Sequence, residues 1–89
     1  MKNKRTLKHA LNAVCEELLA EAMALSLYGN EHQRGSADGA IESIIRLRSN
    51  YLSRVSHVEP GLPAHDYFKD LCEKFAAEVD EIVDQLYNV

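Results

Sequence analysis

Residues 68–86, FKDLCEKFAAEVDEIVDQL, place Phe68, Leu71, Phe75, Val79, Ile82 and Leu86 at spacings of three and four, with Cys72 and Val83 widening the same face. That is the period of one face of an α-helix; a half-buried strand would alternate every second residue. Most positions between them are charged, so the segment predicts an amphipathic helix with a continuous buried stripe. Pro63 suits its first turn, and the helix is expected over 63–88.

Just upstream, residues 57–68, HVEPGLPAHDYF, gather His57, Glu59, His65 and Asp66 around two prolines. Helical geometry separates them. At about 100° per residue, His57 shares the outer ridge of a preceding helix with Asn50 and Arg54, His65 borders the apolar face of the following one, and Asp66 points away. No HExxH or other ligand spacing is present, so no metal site is expected and the stretch reads as a proline-glycine turn. Glu59, preceding Pro60, is pushed out of the α region and should end the second helix near Val58.

That second helix is expected over 37–58, capped by Ser36 or Asp38, with Ile41, Ile44, Ile45, Tyr51, Leu52 and Val55 on its apolar face. Arg48 falls in the middle of this face. A buried guanidinium needs a carboxylate, because an unpaired one costs several kcal/mol. Glu21 is the first candidate for a buried ion pair with Arg48, and Glu17 the second. The alternatives are a stem that packs while the head reaches water, or an arginine placed to contact an anion.

The first helix is expected over 6–28. Thr6 is its candidate N-cap, Leu7, Leu11, Val14, Leu18, Ala22 and Leu25 form its stripe, and Gly29 with Asn30 offers a left-handed C-cap. The polar run GNEHQRGS, residues 29–36, then reads as a linker. The second half of this helix is apolar on more than one side. With Leu18 facing the core, Leu19, Ala20, Met23, Ala24 and Leu27 fall on the flank and back, and three helices can cover only one side.

These segments predict an all-α fold: a three-helix antiparallel, up-down-up bundle forming one domain over 1–89, associating as a dimer into a larger helical bundle. Exchange of helices two and three between subunits through the linker is equally compatible with the pattern. An 89-residue chain buries only about 60–65% of its unfolded surface, so association is a common supplement to so small a core. A hydrophobic content of 46% argues against disorder.

The net charge of −4 gives no general attraction for nucleic acid or anionic membrane, but it hides a gradient. Lys2, Lys4, Arg5 and Lys8 crowd the beginning, while Asp66, Asp70, Glu73, Glu78, Asp80, Glu81 and Asp84 dominate the last helix. Glu16, Glu17 and Glu21 interrupt any signal-like apolar core, and no run approaches the ~20 residues that span a bilayer. A cytoplasmic setting is expected, with no membrane partner. Cys15 and Cys72 belong to no CxxC or Cys/His spacing and are expected as reduced thiols beside apolar stripes.

Three function classes can be weighed on these residues. The first is a protein–protein interaction module that self-associates through Leu19, Ala20, Met23, Ala24 and Leu27, or receives another protein's helix there. Its acidic variant would dock a basic partner on helix three. The second is nucleic-acid association through the basic arm with Arg46 and Arg54, which the acidic outer face of helix three opposes. The third is a metal-dependent enzyme. Glu78, Glu81 and Asp84 share one helix instead of facing across a pocket, so they read as a solvated face. The first class is expected, with no catalytic residue, cofactor, metal or small-molecule substrate.

Overall fold

The computed structural model describes residues 4–58 and 60–87. These residues form three helices, α1 Lys4–Tyr28, α2 Glu31–Ser56 and α3 Ala64–Tyr87, and include no strand. Lys2 of the basic arm and Glu59 of the second turn lie outside them, as does the expected end of the third helix at residue 88.

The largest departure from expectation is the start of α2. Residues 31–36 are helical, so only Gly29 and Asn30 separate the first two helices. Asn30 is extended (φ −72°, ψ 176°); its side-chain oxygen accepts from the Gln33 amide at 2.8 Å, while Gln33 Oε1 accepts from the Asn30 amide at 2.9 Å. This reciprocal capping box satisfies two amides that a helix start otherwise leaves unpaired. It makes Asn30 the N-cap in place of Ser36 or Asp38, and turns a polar linker into the solvated first turns of a helix. Arg34 braces the turn by donating from Nε to the Gly29 carbonyl at 2.9 Å. Gly29 is not left-handed, because Gly61 holds the one positive φ among the described residues. A β-carbon at Gly29 would instead meet the Leu25 carbonyl oxygen at 2.5 Å, which is why the turn needs glycine. Thr6 is likewise not a cap but sits inside α1.

Gly35 shows the cost of a helix assembled from linker-like residues. It is exposed within α2, its φ is not positive, and a β-carbon there would meet nothing within 4 Å. Gly35→Ala is therefore expected to stabilise the protein by about 0.5–1 kcal/mol, read as a higher urea midpoint by circular dichroism. An unchanged or lowered midpoint would count against helix at this position.

Packing follows the stripes, with shifts. In α1 the buried residues are Leu7, Leu11, Cys15, Leu18 and Ala22, while Val14 is 38% exposed and Leu25 half-buried. In α3 they are Phe68, Leu71, Phe75, Ile82 and Leu86, with Cys72, Val79 and Val83 packed beside them. In α2 the buried set is Ala37, Ala40, Ile44, Leu47, Tyr51 and Val55, and Ile45, expected in the core, is 56% exposed. The shift has a physical cause. Helix α2 lies against both neighbours, whereas α1 and α3 meet only sparingly, so its buried arc is set by two partners. Ala37 and Ala40, both fully buried, let the helices approach closely.

Polar contacts pin the three elements. Ser26 Oγ donates to Asp38 at 2.7 Å between α1 and α2, and the Tyr87 hydroxyl donates to Glu21 at 2.9 Å between α3 and α1. At the second turn, the Tyr67 hydroxyl donates to the Arg54 carbonyl at 3.0 Å, with the His57 carbonyl at 3.3 Å. Tyr67 thus satisfies carbonyls that the end of α2 would leave unpaired. The resulting body measures 48 × 20 × 15 Å.

Candidate functional site

The exposed flank of α1 is built by helical spacing alone. Glu16, Ala20, Met23 and Leu27 follow one another at intervals of four, three and four, and so share one face. All four are exposed, as is Ala24 beside them. Met23 is 52% exposed, Leu27 61% and Tyr28, at the end of the helix, 84%. Leu19 behaves differently. It is half-buried and packs on the core, so it forms the floor of the flank and not its surface. Glu16 accepts a hydrogen bond from the Asn12 side chain at 3.0 Å.

Of the readings open for Arg48, the buried ion pair with Glu21 is corrected. Arg48 is exposed, and no ion pair joins it to Glu21 among the described residues. Glu21 is also exposed and accepts from Tyr87. Flanked by Ile44, Leu52 and Val55, the arginine stem is long enough to lie along the helix and carry its head to water. Its charge still reaches Cys15. Burial pushes that thiol above its ordinary range, and the Arg48 guanidinium partly opposes the effect. Both cysteines are free, with Cys72 half-buried.

A polar contact that sequence reasoning missed lies between α2 and α3. Tyr51 is 1% exposed, its ring meets Phe75 edge-on with centroids 5.2 Å apart, and its hydroxyl donates to the Glu78 carboxylate. Burial first, and then the bond and charge of Glu78, push its pKa up to about 12. The Arg54 guanidinium covers the ring at 4.8 Å. Beside this contact runs an open groove of about 400 Å³ lined by Ser43, Arg46, Asn50, Glu78, Glu81 and Gln85. A tyrosine at an apolar position of α2 and a glutamate flanking the stripe of α3 were the available signal; their pairing depends on how the helices are juxtaposed.

Comparison with protein-family models, curated proteins and solved structures finds no match. The remaining residues must be weighed by their surroundings. Of the basic residues considered for phosphate, Arg46 pairs with Glu42 at 2.6 Å and Arg54 lies on Tyr51, so these two arginines of α2 are engaged within the chain. Lys4 and Arg5 are exposed at the start of α1. On α3, Asp66, Glu73, Asp80 and Glu81 are exposed and Asp70 pairs with Lys74 at 3.0 Å. His57 sits at the end of α2 with Nδ1 2.9 Å from the Ser53 carbonyl, while His65 and Asp66 lie exposed in the first turn of α3. Among the described residues no three His, Cys, Asp or Glu side chains are gathered as a metal site would need, and no helix is long and apolar enough to cross a membrane.

Proposed function

We propose that this chain is a small helical interaction module that self-associates through the exposed flank of α1, with its three helices running up, down and up. The observation that carries the reading is that Met23 and Leu27 are more than half exposed on one helical face, beside the exposed small residues Ala20 and Ala24. Apolar side chains exposed together on a helix favour burial against another surface, and alanine beside them permits close approach.

The up-down-up course is supported by which ends meet. Ser26, late in α1, bonds Asp38, early in α2; Tyr67, early in α3, bonds the Arg54 carbonyl late in α2; a β-carbon at Gly39, early in α2, would lie 3.2 Å from Gln85, late in α3. The free thiols fit a reducing, cytoplasmic setting. The reading assigns no catalytic residue.

Light scattering on a sizing column tests it. The wild-type protein is expected to run as a dimer that persists at high salt, because an apolar contact is little screened. Leu27→Lys should weaken association at least about tenfold by burying an unpaired charge. Its folding stability should change by less than about 0.5 kcal/mol, as for an exposed position. A dimer indifferent to Leu27→Lys would exclude this face.

A further inference from the structure

We infer that the occupant of the α1 flank is the same flank of a second copy, set antiparallel about a two-fold axis between Met23 and Ala24, with each end closed by Glu16 of one copy against Arg34 of the other. This rests on the self-association proposed above and specifies its geometry and its charge pairing.

Two independent features carry the arrangement: shape places the axis, and charge sets the antiparallel sense. The first is shape. About an axis between positions 23 and 24, Met23 lies opposite Ala24 of the second copy and Leu27 opposite Ala20. Met23 and Leu27 then each meet a small exposed side chain, the alternation that lets two helices interdigitate. An axis through Met23 itself would set methionine against methionine and leave Ala20 opposite Ser26.

The second feature is charge. Glu16 continues the face of Ala20, Met23 and Leu27, is exposed, and accepts from Asn12 through one oxygen, so it lies on the surface that the second copy would cover. Arg34 is also exposed. Its guanidinium is held at the end of α1 by the bond from Nε to the Gly29 carbonyl, and no carboxylate of its own chain pairs with it among the described residues. With a rise of about 1.5 Å per residue, Glu16 lies about 11 Å from the axis along the helix and Gly29 about 8 Å on the other side. The two-fold operation therefore brings Arg34 of the second copy to within about 3 Å of the level of Glu16. The pair forms twice, once at each end. Exposed Glu31 of the second copy reaches the same level, where Arg34 is the cation that offsets both carboxylates; a parallel arrangement would set Glu16 beside Glu16. Because two-fold pairing uses the same patch on both subunits, association closes at the dimer and does not run on into a filament.

Charge reversal tests the inference. Dimer dissociation constants are measured by sedimentation equilibrium at low salt for wild type, Glu16→Arg, Arg34→Glu and the double variant, with circular dichroism melts to verify folding. Each single reversal is expected to weaken the dimer about three- to tenfold, and the double variant to return it to within about twofold of wild type. Glu16→Gln, which leaves the Arg34–Gly29 contact intact, should weaken the dimer less and reduce its salt sensitivity. Singles without effect, or a double no better than the worse single, overturn the inference even if Leu27→Lys still dissociates the dimer. A wild-type protein that stays monomeric to about millimolar concentration overturns the self-association reading as well.

Discussion

Phe75→Ala is expected to cost about 3–5 kcal/mol, the largest effect of any substitution considered for this protein. Phe75 is 7% exposed at the middle of α3, and its ring is edge-on to that of Tyr51 at 5.2 Å. Removing it forfeits the transfer free energy of the ring and its aromatic contact, and leaves a cavity between two helices. Collapse of the site is limited, since Tyr51 is held in place by its bond to Glu78. Native stabilities of small domains lie near 5–15 kcal/mol, so this one change removes a large share. Urea denaturation followed by helical circular dichroism gives the value. A loss below about 1 kcal/mol would show that Phe75 is not central to the α2–α3 contact.

Tyr51→Phe is the second large effect, and its pH dependence is its signature. At neutral pH the variant keeps the buried ring but deprives Glu78 of its donor, at a cost of about 1–3 kcal/mol. In the unfolded chain tyrosine loses its proton near pH 10, whereas in the folded protein Tyr51 holds it to about 12. Between those values the folded state binds more protons than the unfolded one, so stability falls as pH rises. The contribution is complete below pH 10 and is lost as pH rises through about 12, amounting to at most about 3 kcal/mol. Other groups titrate in the same window, but they are common to both proteins. The stability difference between wild type and Tyr51→Phe should therefore shrink from about pH 10 upward. Parallel stability profiles for the two proteins across that range would sink the assignment.

These effects meet where the sequence is least informative. Periodicity counts Tyr51 as one apolar residue among several on α2, and Glu78 as part of a solvated acidic face. Each description holds for its own helix. Their pairing depends on the rotation of α2 relative to α3, and no periodicity within one helix encodes it. The same rotation explains Ile45 and Arg48. Periodicity places both within or beside the apolar face of α2, yet contact with two neighbours centres the buried arc on Ile44, Leu47 and Tyr51, leaving Ile45 and Arg48 exposed. Composition misleads in a different way at residues 29–36. Polar residues are as compatible with a solvated helical turn as with a loop, and what decides is the Asn30–Gln33 capping box, present in the sequence but masked by the two glycines around it.

Sequence alone establishes that the chain is helical, that its third helix buries the stripe from Phe68 to Leu86, and that the second half of α1 carries more apolar surface than one core requires. Those are properties of a single helix, written at its own period of 3.6 residues. Packing between helices settles the rest: which flank of α1 stays exposed, that Leu19 belongs to the floor while Met23 and Leu27 face outward, that Glu21 serves Tyr87 and not Arg48, and that Tyr67 closes the end of α2. Each depends on distances between residues remote in the chain, which are set when stripes from three helices compete for the same buried volume.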